Sequence, residues 1–407
     1  MIRLIHFADF HLGMETYGRM DPATGLSTRV VDFLKSLDAL VDYALGSDIH
    51  LVIFAGDAYK TRDPNPTYQR EFNSRILRLA KAGIPVVLVV GNHDIAPAEG
   101  RASTVDVFNT FGADNVYVGR TVQTFRIETK GGPVQVVTLP WVLRSRFLTR
   151  EQTHGKSVKD VDELLAKRII EIVDSEKRRL SPDVPAILAA HASIQGAVFG
   201  SERSIMLGQD LALSRGDLDF PSFDYIALGH IHKHQVLQEN PPAVYAGSME
   251  RVDFGEEGDA KGFIVAEVEK GHARYEFHPV PARRMVTVRV DVKGDDPTQE
   301  ALDAIAKVDL KDAIARVTIH LREDQNPLLD QKKIADALGD AFFVASLVRD
   351  VERQTRQRLG AGALESLSPE QILQRYLEEK QVPKDKSEVL MQKGGEILRR
   401  AASEEQE

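Results

Sequence analysis

IPVVLVVGNHD, residues 84–94, is the stretch on which the reading of the fold turns. An unbroken run of valine and leucine from Val86 to Val90 stops at Gly91 and is followed at once by Asn92, His93 and Asp94. An apolar run of that length reads as a strand buried on both faces, and the polar groups then sit just past its C-terminal end. The same grammar recurs along the chain. IRLIHFAD ends at Asp9, LVIFAGD at Asp57, PAILAAHAS carries His191 and DYIALGHIH carries His230 and His232. VQVVTLP, PAVYAGS and GFIVAEVE add further strand-sized runs. Amphipathic helical stretches lie between the earlier ones, around residues 28–45, 67–81 and 158–178. Strand and helix repeated in this way predict an α/β fold, with closely spaced strands after His191 forming a second, partly antiparallel sheet. The expected architecture is a two-sheet sandwich flanked by helices over residues 1–280.

The strand ends carry the chemistry. Asp9, His11, Asp57, Asn92, His93, Asp94, His191, His230 and His232 all fall there, and in α/β sheets ligand sites collect at that edge. Singly, each has an ordinary reading: Asp9 and Asp57 could cap helices, Asn92 could hold a turn, His191 could be a satisfied core residue. Together they offer carboxylate, amide oxygen and imidazole in the mixture that suits divalent Mn, Fe or Zn. LGHIHKHQ adds His234 to His230 and His232; on a strand all three imidazoles would project from one face. With no cysteine in the chain, thiolate ligands and disulfides are excluded.

Beyond Pro281 the composition shifts. RRMVTVRVDVKG and IARVTIHLRED alternate as strands, with helical PTQEALDAIAKV between them and QKKIADALG after them, which predicts a small α/β capping domain over 281–350. A charged helical tail is expected over 351–407. Ile372, Leu373, Tyr376 and Leu377, then Val389, Leu390, Ile397 and Leu398, form apolar faces that need a cover, either their own domain or a partner. HGKS at 154–157 lacks the leading glycine of a phosphate-binding loop, since position 150 is Arg. The net charge of −9 excludes a protein coated in basic patches but leaves room for local phosphate contacts. No apolar run approaches the roughly 20 residues that span a bilayer, and the N-terminal residues turn polar too early for a leader, so a cytoplasmic location is expected.

DFHLG (9–13), GDAYK (56–60), GNHD (91–94), the isolated His191 and GHIH (229–232) resemble, in order, the five signature motifs of calcineurin-like metallophosphoesterases. HFADFHLG, GIPVVLVVGNHD, DYIALGHIHKHQ and YAGSMERVDFGEE are similar, more narrowly, to SbcD-type DNA-repair nucleases and their counterparts in the MRN and MRX complexes. That resemblance implies two divalent ions, Mn²⁺ foremost, with Mg²⁺, Fe²⁺ or Zn²⁺ as alternatives. One would lie on Asp9, His11, Asp57 and His232, the other on Asp57, Asn92, His191 and His230. It implies His93 as proton donor to the leaving oxygen, with Asp94 orienting its ring, and His234 as no ligand. It further implies an exonuclease acting 3′ to 5′ on duplex ends and an endonuclease on single strands, a homodimer, and a nucleoid-associated heterotetramer with an SbcC-like coiled-coil ATPase held by the tail helices. Loop residues beside the motifs are candidate DNA contacts: Tyr17, Arg19, Lys60, Arg62, Asn65, Arg101, Arg203 and Ser204. Lys60 stands where several relatives carry histidine or an acid; it either contacts phosphate or is a solvated loop charge. The rival readings are a same-fold enzyme acting on a small phosphoester and a non-catalytic scaffold that bridges DNA ends.

Overall fold

The structure is a computed structural model and describes residues 1–95, 102–200, 211–352, 368–380 and 382–404. Two six-stranded sheets face each other. The first has the order β14-β13-β1-β2-β3-β4 and the second β11-β12-β10-β7-β6-β5. In the first sheet β1 (Ile2–Phe7), β2 (Leu51–Phe54), β3 (Val86–Val89) and β4 (Val116–Gly119) run parallel, and β13 (Gly262–Glu269) and β14 (His272–Pro279) add an antiparallel edge. The second sheet has a parallel centre of β6 (Gly132–Leu139), β7 (Ala186–His191), β10 (Tyr225–Gly229) and β12 (Pro242–Tyr245). Antiparallel β5 (Gln123–Thr129) and β11 (Gln235–Glu239) form its edges. A two-stranded piece, β8 (Ser193–Ile194) with β9 (Ala212–Leu213), follows the end of β7.

Residue alternation along β1 shows why the strands pair this way. Ile2 and Leu4 face the second sheet with Leu51, Ile53, Val87, Ile187 and Ala227, whereas Ile5 and Phe7 face outward into a cluster with Phe33, Leu37, Phe72 and Ile76. Those last four come from α1 (Thr28–Gly46) and α2 (Pro66–Lys81), whose apolar residues recur at helical spacing. The second sheet is covered in the same way by Val161, Leu165, Ile169 and Val173 of α6 (Val158–Lys177). Shorter helical turns, α3 (Val107–Thr110), α4 (Arg144–Phe147) and α5 (Arg150–Thr153), fill the connections. The HGKS stretch is a helix start: the Ser157 side chain accepts from Asp160 N–H in a capping box that opens α6.

The two-sheet sandwich with flanking helices is the predicted one, with one correction. β13 and β14, which follow His191, do not join the second sheet. They return to β1, pairing Ile2 with Val268 and His6 with Ile264. Strand β1 is apolar on both faces, and its edge must find a strand partner for its backbone groups. β4, β5, β11 and β14 are short or carry polar residues on an exposed face, and their apolar runs are too weak to predict them.

Beyond this sandwich, β15 (Met285–Asp291), β16 (Ile314–Arg322) and β17 (Phe343–Glu352) make a three-stranded parallel sheet. α7 (Pro297–Ala306) and α8 (Gln331–Ala337) bury Ala301, Ile305 and Ile334 against Val288, Val317 and Ile319 on one face of it. The third strand was not anticipated, and it carries the chain as strand through Glu352, past the expected start of the helical tail. Arg283 ties this unit down. It donates to Asp32 of α1 at 2.6 Å and to the Asp312 carbonyl at 2.8 Å, and its guanidinium lies 3.6 Å from the Phe342 ring centroid. Its own N–H donates to the Glu250 carboxylate at 3.0 Å.

In the tail, helices Pro369–Glu379 and Lys384–Glu404 pack against each other, with Leu373 against Gly394 and Leu377 buried. Tyr376, Val389, Leu390 and Ile397 stay exposed, and the Leu398 side chain lies outside the described set. Among the described residues no helix is long and apolar enough to cross a membrane.

Candidate metal centre

The ends of β1, β2, β3, β7 and β10 meet at one edge of the sandwich. The approach is close enough to dictate glycine. A Cβ at Gly229, where β10 ends, would run into the Ala55 carbonyl of the opposite sheet, and one at Gly91 would run into the Asp57 carboxylate. The backbone beyond the strands is bent sharply: Asp9 (φ 51°), His11 (47°), Asp57 (64°) and His230 (105°) all occupy the left-handed side. For non-glycine residues such conformations cost on the order of 1–3 kcal/mol each and gather at functional sites, where surrounding bonds enforce them. Here Asp9 N–H donates to Gly56 O, His11 N–H to Asp57 O, and His230 N–H to both oxygens of Asp9 at 3.0 Å.

The side chains fall into two groups that share Asp57. In one, His11 Nε2 and His232 Nε2 are 2.9 Å apart, His11 Nε2 is 3.7 Å from Asp57 Oδ2, and Asp9 lies close enough to join them in a metal-ligating cluster with His11 and His232. In the other, His191 Nε2 is 2.9 Å from Asn92 Oδ1 and 3.5 Å from Asp57 Oδ2, and His230 Nδ1 is 3.2 Å from Asn92 Oδ1. Asp9, Asp57 and His191 form a second possible cluster, and His11, Asp57 and His93 a third.

The lone pairs fit cations. A carbonyl can only accept, so His191 Nδ1, 2.7 Å from Ala55 O, carries a proton. A neutral His191 then turns a bare Nε2 toward the amide oxygen of Asn92. In the same way His232 Nδ1 donates to the Glu256 carboxylate at 2.7 Å and turns Nε2 toward His11. Such facing acceptors need a positive charge between them. Without an ion, a proton serves: although burial opposes it, Asp57 and Asp9 drive His191 up to about 9. Burial likewise works against ionising Asp57, yet His191, His93 and His11 hold it well below the usual carboxylate range. The residues present therefore suit two divalent ions, one in each group with Asp57 between.

Several expectations need correcting. The three histidines of LGHIHKHQ are not on a strand: β10 stops at Gly229 and β11 starts at Gln235. The left-handed turn at His230 aims its ring at Asn92, while His232 reaches His11. His234 stacks on Phe277 at 4.5 Å and its Nδ1 donates to Tyr245 O at 2.9 Å, away from both groups. Asp94 does not orient the His93 ring. Its buried carboxylate accepts N–H bonds from Asp57 (2.8 Å), Ala58 (2.9 Å) and Gly91 (2.9 Å), so it shapes the backbone that presents Asp57. His93 is oriented instead by Lys60 O at 2.6 Å, and its N–H donates to Asp57 Oδ1 at 2.8 Å.

Of the candidate DNA contacts, Lys60 and Arg62 are exposed on the loop beside His93, with Arg62 Nε donating to Asn92 O at 3.0 Å. Asn65 is the cap of α2, its side chain accepting from Thr67 N–H at 2.8 Å. Tyr17 packs edge-on to Phe254 and against Phe343, and Arg19 lies over the Phe343 ring. Both belong to the seam with the three-stranded unit. Arg101, Arg203 and Ser204 lie outside the described residues.

Two supports had no signal in the sequence pattern. Trp141, the only tryptophan in the chain, packs on His230 with ring centroids 4.6 Å apart. Glu256, buried, holds His232; burial opposes its charge, but His232 and Lys261 bring it down to about 2. Lys261, itself buried, pairs with Glu256 at 2.7 Å and donates to Ser248 Oγ at 2.8 Å. Both acid and lysine lie at or just after YAGSMERVDFGEE, where no periodicity marks a buried ion pair.

Among solved structures, the chain is similar to a dimetal phosphatase from Danio rerio, at 10% identity over 68% of this chain and 98% of that one, with a TM-score of 0.37. It is also similar to the Thermus thermophilus sulfate thiohydrolase SoxB in complex with glycerol, at 12% identity over 68% of this chain and 56% of that one, with a TM-score of 0.34. A family model described as calcineurin-like phosphoesterase matches residues 2–234. That span holds both strand-end groups and every side chain that converges on Asp57, and the chain belongs to the calcineurin-like phosphoesterase family.

Proposed function

We propose that the chain is an Mn²⁺-dependent DNA nuclease of the SbcD type, a 3′ to 5′ exonuclease on duplex ends and an endonuclease on single strands. The observation that carries this reading is the loop Lys60–Arg62. It fixes His93 and Asn92 by hydrogen bonds and places two exposed cations beside the same edge. In a chain of net charge −9, local cations at the metal edge suit a polyanionic backbone that runs on past the reacting phosphate. Metal ions held by Asp9, His11, Asp57, Asn92, His191, His230 and His232 would supply charge neutralisation at the phosphate. His93, anchored through Nδ1 on Lys60 O, leaves Nε2 for proton transfer to the leaving oxygen as the P–O bond breaks. Residues 281–350 act as a capping domain over DNA, and the exposed faces of the tail helices receive an SbcC-like ATPase in a complex built on a homodimer. A cytoplasmic, nucleoid-associated place follows from that role.

The test is cleavage of a labelled linear duplex with Mn²⁺, with Mg²⁺ and with chelator, beside His93→Ala and bis-p-nitrophenyl phosphate. Mn²⁺-dependent loss of nucleotides from the ends is expected. It should fall about 10²–10⁴-fold in His93→Ala while the variant still binds metal. Turnover of the small ester with DNA intact, also when the ATPase partner is added, would replace this reading by a small-phosphoester hydrolase. Binding of DNA ends without cleavage of either substrate would leave a scaffold.

A further inference from the structure

Adjacent residues of one short turn, Glu256 and Glu257, point in opposite directions. Glu256 accepts from His232 Nδ1, with its other oxygen on Lys261 and on Val252 N–H at 3.1 Å. Glu257 reaches into the three-stranded unit, where it accepts from Thr287 N–H at 2.8 Å and from Thr287 Oγ1 at 2.6 Å. Thr287 lies on β15, an edge strand. The guanidinium of Arg316 on β16 donates to Thr287 Oγ1 at 3.0 Å and lies 4.3 Å from the ring centroid of Phe254 in the same turn. Phe254 in turn packs on Tyr17, six residues after His11, and Tyr17 touches Phe343 of β17. The turn that holds His232 is thus hydrogen-bonded to the three-stranded unit, and the loop that carries His11 touches the unit through Tyr17. The other group rests on the sandwich itself, His191 on Ala55 O and His230 against Trp141.

We propose that Glu257 and Thr287 are positioning residues that make cation binding at the His11 and His232 group depend on the seat of the three-stranded unit, while the His191 and His230 group binds independently of it. This rests on the reading of the two groups as metal sites. A displacement of β15 that pulls on Glu257 would swing the turn, draw Glu256 from His232 and leave that ring without its fixed tautomer. Metal binding must then favour the seated position of the unit by the same factor.

The experiment is Mn²⁺ titration of the full chain by calorimetry, with hydrogen exchange at β15 read with and without metal. The wild type is expected to show two binding events, with slower exchange at Thr287 when both are filled. Glu257→Ala should weaken one event by about tenfold, the lower end for a residue supporting a metal ligand. It should leave the other event unchanged and lose the metal effect on Thr287, while the metal-free protein still melts in one cooperative transition. Thr287→Val should do the same more mildly, and Glu257→Gln, which keeps an acceptor, should recover most of the affinity. Two unaltered events in Glu257→Ala, or equal weakening of both, would overturn the proposal. A wild type that binds no Mn²⁺ would instead overturn the metal-site reading beneath it.

Discussion

The two halves of the candidate metal centre each bring two histidines to Asp57 and are supported by different kinds of structure. His191 donates to a main-chain carbonyl of β2's extension, and His230 leans on Trp141; both supports belong to the packed sandwich. His232 donates to Glu256, a buried acid on a turn that also contacts the three-stranded unit, and His11 shares its loop with Tyr17 in that seam. A carbonyl in a sheet can be displaced only with the sheet. A carboxylate on a turn can move with whatever the turn touches. One half is therefore as rigid as the core, and the other is open to influence from outside it.

The largest effect expected is at the residue common to both halves. Asp57→Asn removes the shared carboxylate, and both Mn²⁺ binding events should disappear, with phosphodiester turnover falling more than about 100-fold, beyond the loss that supporting residues produce. Retention of one event would mean that the halves do not share Asp57. Glu256→Gln separates the halves. It should weaken the His232 event by about 10–100-fold, while Mn²⁺ quenching of Trp141 fluorescence, expected on filling of the His230 half because that ring packs on Trp141, keeps its midpoint. A shift of that midpoint would show the two halves to be a single unit. The smallest effect belongs to a residue outside both. Asn65→Ala should cost about 1 kcal/mol in chemical denaturation, the loss of a helix cap, and leave metal titration and DNA affinity as they are. Weaker DNA binding at unchanged stability would restore it as a contact.

The strand ends were legible because buried parallel strands leave continuous apolar runs and the first polar residues after them are conspicuous. Asp9, Asp57, Asn92, His191 and His230 could all be picked out in this way. The return of β13 beside β1 was not, because an apolar run carries no label for the edge it pairs with. Asp94 shows the limit most clearly. Beside His93 in sequence, it reads as that ring's partner, yet its carboxylate closes onto three backbone N–H groups around Asp57, and the ring takes a carbonyl from residue 60. Neighbours along a turn of irregular backbone point in unrelated directions, as Glu256 and Glu257 do again. Likewise Asn65 and Tyr17 look like loop residues in the sequence, and a helix start and an aromatic seam claim them.

By itself the sequence determined the α/β layering, the helices that cover it and the residue types gathered at the strand ends, since these follow from local periodicity and from burial that each segment must satisfy alone. The resemblance implied the grouping around Asp57, but the tertiary structure alone decided how closely those side chains approach, where Asp94 turns and which acid stands behind His232. Those are distances between segments up to 221 residues apart, bent through left-handed backbone, and a through-space distance leaves no trace in the pattern of any one segment.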